Sequence, residues 1–152
     1  MQAFEPYSGC FDGTRHLFAL RVYFEDTDLS GVVYHANYLR WFERARSDML
    51  RLAGIDQRGA QDAGEGAYAV VEMRLRYVQP ARFDDAVLVT SRVAEVSPAT
   101  VWLEQAAYRG DRLLCSARVR VALVAPNGRP RRQPAAWIAA FRALIALPDD
   151  KT

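Results

Sequence analysis

The chain has 152 residues and a net charge of +2, with 51% hydrophobic and 25% charged residues. That mix folds as one globular domain of ordinary size and excludes both a disordered chain and a nucleic-acid footprint carried by bulk charge. No apolar run reaches the ~18 residues of a membrane span, no basic-then-apolar leader opens the chain, and Cys10 and Cys115 are too few and too distant for a disulfide framework or a zinc site, so a cytoplasmic protein without membrane contact is expected.

Residues 1–15 mix Gly, Pro, Ser and charges without periodicity and read as a loosely attached arm; residues 16–152 read as one domain. From His16 to Glu25 the pattern alternates, with Phe18, Leu20, Val22 and Phe24 on one face of a strand. After an irregular Asp/Ser/Gly stretch the period changes. Tyr38, Trp41, Phe42, Ala45, Met49 and Leu52 then form one apolar stripe on a long helix, with Asn37 as N-cap and Gly54 as stop. Arg40, Glu43, Arg44, Asp48 and Arg51 make its solvated or interface-facing side.

A Gly/Gln/Asp-rich connection from Gly54 to Gly66 precedes strand-like segments at Ala67–Tyr77, Asp85–Val96, Thr100–Arg109 and Leu113–Val124, punctuated by Pro80, Ser97-Pro98 and Arg109-Gly110-Asp111. Gln133-Pro134 opens a final short helix whose apolar face is Trp137, Ile138, Phe141, Leu144 and Ile145. The order predicts an α+β fold, a curved antiparallel sheet of about five strands wrapped on one long helix. Half of the sheet's outer face reads as apolar, a basis for self-association.

Chemistry concentrates between Arg21 and Arg46. Glu25, Asp26 and Asp28 end the first strand, and His35 and Asn37 stand just before the helix. A carboxylate and an imidazole thus bracket a turn that feeds a helix N-terminus, whose free N–H groups can hold an oxyanion. An acid beside such donors is one arrangement for acyl transfer; a solvated turn is the plain alternative. Calcium is rejected because Asn37 occupies the position where the loop needs a bidentate Glu. Zinc is rejected because His16 is the other histidine. No Gly-x-Ser-x-Gly elbow or glycine-rich phosphate loop is present.

The run Arg21-Val22, Thr27-Asp28, Gly31-Val32-Val33 and Tyr38 resembles the signature of the 4-hydroxybenzoyl-CoA thioesterase family. Tyr34-His35-Ala36-Asn37-Tyr38 and Phe42-Glu43-Arg44-Ala45-Arg46 are most similar to its YbgC-like branch, which is encoded alongside the Tol-Pal envelope machinery. The resemblance continues through Tyr77-Val78-Gln79-Pro80 and Arg118 to the final helix, covering roughly residues 16–146. It implies a hot-dog fold and an acyl-CoA thioesterase that needs no cofactor or metal, coenzyme A being part of its substrate. It also implies a homodimer or homotetramer with active sites between protomers.

Carried over by position, Asp28 matches the catalytic carboxylate, as nucleophile or general base, and Asp26 a structural acid of the turn. The oxyanion donor would be a backbone N–H in the Tyr34–His35 region. His35 matches the histidine of the YbgC-like branch, orienting water or carbonyl, with a loop-holding role as the competing reading. Tyr34, Val70 and Val71 are candidate pocket walls; since Val70 and Val71 alternate, at least one is expected in the core. Where the aromatic-acid enzymes of the family carry a basic turn, this chain has Ser97-Pro98-Ala99-Thr100. Arg129 and Arg131, with Arg132, are the remaining cations for the coenzyme phosphates. An acyl carrier protein is the alternative carrier. A non-catalytic acyl-binding protein and a hot-dog dehydratase are the rival functions.

Overall fold

The computed structural model describes residues 3–145; the outermost residues of the expected arm and domain, 1–2 and 146–152, lie outside it. In chain order the elements are β1 (Cys10–Asp12), β2 (Arg15–Arg21), a 3-10 turn (Phe24–Asp26), α1 (Asn37–Leu52), α2 (Gln57–Asp62), β3 (Ala67–Tyr77), β4 (Ala86–Val96), β5 (Thr100–Arg109), β6 (Arg112–Val124) and α3 (Ala135–Ala143). Six strands make one sheet in the order β1-β2-β4-β5-β6-β3, antiparallel at every pairing. α1 lies across β2, β4 and β5. This is the helix-in-sheet arrangement that the resemblance implies.

The apolar stripe of α1 goes where its period sends it except at its end, where Leu52 is exposed. Trp41, Phe42, Ala45 and Met49 are buried against Val87, Val89, Val93, Val101, Leu103 and Val119 of the sheet, each large side chain contributing about 1.5–3 kcal/mol by leaving water. One polar strap crosses this layer: the buried Arg46 donates to Gln105 Oε1 (3.0 Å), and Gln105 Nε2 donates to the Phe42 carbonyl (3.0 Å) and Ser91 Oγ (2.9 Å).

Gly54 stops α1 as expected. At φ +84° it lets its own N–H reach the Arg51 carbonyl (3.1 Å) and the Ile55 N–H reach the Leu50 carbonyl (2.9 Å), closing the helix by a Schellman pair. A Cβ at this position meets open space, so a substitution costs backbone strain alone. Gly54→Ala is expected to lower the unfolding free energy by about 1–2 kcal/mol in a urea melt; an unchanged midpoint would mean that the turn tolerates an L-residue.

Several elements differ from the sequence reading. The arm is tied down: β1 pairs with β2, and Ser8 Oγ and Gly9 N–H both donate to Asp48 (2.9 Å each). Asp48 is therefore not on a solvated face but buried, with His16 Nε2 at 2.7 Å from the same oxygen, Oδ2, that accepts the Gly9 N–H. β2 ends at Arg21, and the 3-10 turn rotates Phe24 outward until it is 81% exposed. α2, inside the expected connection, exists because Asp56 caps it by accepting the Gly59 N–H (2.9 Å). Pro134 stands at the N-cap of α3 instead of inside its first turn. The outer sheet face is mixed: across β4, β5, β6 and β3 it carries the charged row Arg92, Glu104, Arg118, Arg74, and Leu88, Trp102, Ala106 and Tyr108 stand on the same face. No helix of the described residues is long and apolar enough to cross a membrane.

Candidate active site

The loop between β2 and α1 is organised around the backbone of Asp26. Its carboxylate accepts the Tyr23 N–H (2.8 Å), fixing the 3-10 turn, and its carbonyl accepts both the Tyr34 N–H (2.9 Å) and Asn37 Nδ2 (2.7 Å). Asp26 thus holds the turn, as the resemblance implies. Asn37 does not cap α1: Ala36 is the cap residue, without a side-chain bond, and the buried Asn37 ties the helix start back to the loop. The Val33 N–H to Ala81 carbonyl bond (2.9 Å) anchors the loop on the segment after β3.

Asp28 sits at the tip of this loop, exposed. Its backbone closes a tight turn, donating to the Val32 carbonyl and accepting the Gly31 N–H (3.0 Å each), with Gly31 at φ +82°. One carboxylate oxygen, Oδ1, accepts both the Ser30 N–H (2.8 Å) and the Ser30 hydroxyl. These two bonds, with a smaller contribution from the charge of His35, hold the Asp28 carboxyl below its ordinary value of 3.8, because hydrogen bonds to the charged form favour it. Asp28 is therefore an anion at neutral pH, with one oxygen engaged by Ser30.

The helix start lies beside it in the chain. The Tyr34 N–H, inside the region expected to supply the oxyanion donor, is spent on Asp26. The N–H groups of His35 and Ala36 have no hydrogen-bond partner among the described residues, leaving them as the donors at the positive end of α1. The exposed His35 ring lies 4.5 Å from the Tyr34 ring and 6.3 Å from that of Tyr77, centroid to centroid.

Tyr77 is the residue that sequence reasoning passed over. From the end of β3 its hydroxyl donates to the His35 carbonyl (2.9 Å), while its ring packs edge-on against Tyr38 (5.7 Å). Burial raises its pKa, which keeps the hydroxyl a donor. Its presence in the segment similar to the family was the available signal. Because it fixes the peptide next to the candidate donors, Tyr77→Phe is expected to lower kcat roughly tenfold, about 1.4 kcal/mol, with KM little changed. A loss confined to thermal stability would make it a packing residue only.

The other candidates lie elsewhere in the chain. Val70 and Val71 are each about half exposed, so neither is ordinary core. A register shift between Val70 and Glu72 inserts an extra residue, breaking the strict alternation. Val70 borders a cavity of about 120 Å³ with Tyr68, Leu103 and Phe141, and it is about 23 Å along the strand from Tyr77 at the usual rise. Arg129 and Arg131 are farther still, in the turn after β6, whose end pairs with the start of β3 (Ala67 opposite Val124). Arg131 donates to the Glu65 carbonyl (2.8 Å) and lines a cavity of about 290 Å³ with Arg132 and Trp137. The chain therefore brings Asp28, Tyr34 and His35 together at one end of β3, and Val70, Val71 and the arginines at the other. No cluster of three or more His, Cys, Asp or Glu placed to hold a metal occurs among the described residues.

Comparison with known proteins agrees with this architecture. Residues 30–119 match the family model of the thioesterase superfamily. The chain is 42% identical over 107 residues to the acyl-CoA thioesterase YbgC of Haemophilus influenzae, covering 70% of this chain and 79% of that protein. It is 36% identical over 125 residues to the acyl-CoA thioester hydrolase YbgC of Shigella flexneri, covering 81% and 92%. The crystal structure of a probable thioesterase from Bartonella henselae superposes with a TM-score of 0.76 at 38% identity, over 79% of this chain and 99% of that one. With a hot-dog sheet wrapped on its central helix and this match over more than half its length, the chain belongs to the thioesterase superfamily.

Proposed function

We propose that the protein is an acyl-CoA thioesterase, hydrolysing an acyl-CoA thioester to a free acid and coenzyme A with Asp28 as its catalytic residue. The observation that carries this reading is an ionised carboxylate in the loop that feeds a helix start whose His35 and Ala36 N–H groups are unspent. The relatives named acyl-CoA thioesterases supply the substrate class.

In the nucleophilic form, an Asp28 oxygen bonds to the thioester carbon while the N–H donors of the helix start hold the oxyanion. The C–S bond then breaks, the sulfur leaves and takes up a proton, and water cleaves the resulting anhydride to restore the carboxylate. In the general-base form, Asp28 takes a proton from the water that attacks directly. His35 orients the water or the carbonyl, and Tyr34 walls the site.

The reading requires a second protomer. Asp28 and His35 are exposed, whereas electrostatic stabilisation needs a dry site. β3 is a free edge of eleven residues with Val70, Val71, Tyr77 and Val78 all about half exposed. Antiparallel pairing of two such edges about a two-fold axis sets the Ala67 end of one strand beside the Tyr77 end of the other. Val70, Val71, Arg129 and Arg131 of one protomer then face Asp28, Tyr34 and His35 of its partner, with the arginines on the coenzyme phosphates. A tetramer would pair such dimers.

The test is thiol release from a panel running from short aliphatic acyl-CoAs to palmitoyl- and benzoyl-CoA, with the oligomer measured alongside. Release with saturation supports the reading, and the best substrate defines the acyl slot. An intact dimer that releases no thiol from any acyl-CoA would overturn it in favour of a carrier-protein substrate or a non-catalytic acyl-binding role.

A further inference from the structure

We propose that the outer face of the sheet holds a second binding site, for a small anion bearing two or more phosphates, separate from the Asp28 site. The register builds it. Thr90, Ala106, Ser116 and Arg76 are successive cross-strand neighbours on β4, β5, β6 and β3, and so are Arg92, Glu104, Arg118 and Arg74 in the adjacent row. The first row is small at three of its four positions, so it forms a trough floored by Thr90, Ala106 and Ser116. The second row is long and charged and forms a wall. Arg76 closes the β3 end and Arg15 the β2 end. Together they enclose a cavity of about 580 Å³, within the range of small-molecule sites.

The charge of this trough is one-sided. Five arginines line it against a single acid, Glu104. Two of the five are held in place: Arg92 by Glu104 at 2.7 Å, and Arg118 by Glu95 at 3.6 Å and by stacking on Trp102 at 4.6 Å. Arg15 has only the exposed Asp12 at 3.4 Å. Arg74 and Arg76 have no acidic partner within 4.0 Å among the described residues. Guanidinium forks with free donors match phosphate oxygens, and pre-positioned neighbours reduce the ordering cost of binding. The trough spans three strand spacings, about 14 Å, the length of a nucleoside diphosphate or a short polyphosphate.

The probes are ADP and inorganic tripolyphosphate, titrated calorimetrically into the full chain at about 0.15 M ionic strength, where loose surface attraction is screened. Three variants accompany the wild type. Arg74→Ala with Arg76→Ala removes the free cations, Ala106→Leu fills the floor without changing charge, and Arg129→Ala with Arg131→Ala probes the turn after β6. Saturable binding of either probe that weakens at least tenfold in the first two variants and persists in the third supports the site; response to ADP alone adds a base-binding part, and response to both marks a general polyphosphate site. Absence of saturable binding in the wild type, undiminished binding in the first two variants, or loss only in the third would overturn it. The arginine pair is exposed, so that variant reports even if Ala106→Leu misfolds.

Discussion

Asp28→Asn is expected to reduce thiol release from the preferred acyl-CoA by at least about a hundredfold, the lower end of what a positioned acid or base contributes, while leaving fold and assembly unchanged. The amide is nearly isosteric, and its oxygen can still accept the Ser30 N–H and hydroxyl that anchor the loop tip. What it loses is the anion: an amide neither attacks a thioester carbon nor takes a proton from water at neutral pH. Circular dichroism and the oligomer's mass distinguish chemistry from structure, and a variant that falls apart would make Asp28 a structural residue of the loop.

The largest expected effect on stability lies near the C-terminal end of α1, at Asp48. Its buried carboxylate gathers three groups, His16 Nε2, Gly9 N–H and Ser8 Oγ. Burial works against the charge, but these hydrogen bonds outweigh it and keep the carboxyl below its ordinary 3.8. Because an ionised carboxylate only accepts, His16 donates to Asp48 from Nε2, while its Nδ1 is buried without a partner among the described residues. Asp48→Ala strands these donors and frees the arm from α1, so a loss of about 3 kcal/mol is expected, roughly 6–12 °C in Tm for a domain of this size. A thermal melt showing less than about 2 °C would mean the contacts are dispensable. The sign with pH follows from the lowered carboxyl. Its contribution is complete above the ordinary carboxylate range and fades as pH falls below about 4 through the folded value. Wild type should therefore lose stability in acid more steeply than Asp48→Ala.

Much of this architecture is legible in the residues. Alternation and turn signals place β3, β5 and the long helix at nearly their observed ends, because those patterns are local. What escapes is set by partners far along the chain. An Asp on the polar side of a helix reads as solvated until His16, thirty-two positions earlier, comes to meet it. Tyr77 reads as the last residue of a strand until the fold brings it to His35. α2 escapes because six residues that include a glycine carry no period to detect. The inserted residue near Val71 shifts the face of everything before it, which an alternating template cannot register. Asp28 and His35 are conspicuous in the sequence because a strand, a turn and a helix start place them in one short segment. Tyr34 shares that segment, whereas the other candidate walls, Val70 and Val71, stand at the far end of an edge strand.

That edge strand also dictates an order of events at the ribosome. β3 is completed before β4, β5 and β6 exist, yet its hydrogen-bonding partner within the chain is β6, with Tyr77 opposite Cys115 and Tyr68 opposite Leu123. At ~5–20 residues per second of synthesis, the strand waits about 2–11 seconds with both edges bare and its two valines exposed. α1, made earlier still, waits for β4 and β5. Folding of this layer is therefore deferred until the β4-β5-β6 meander can close and collect both at once.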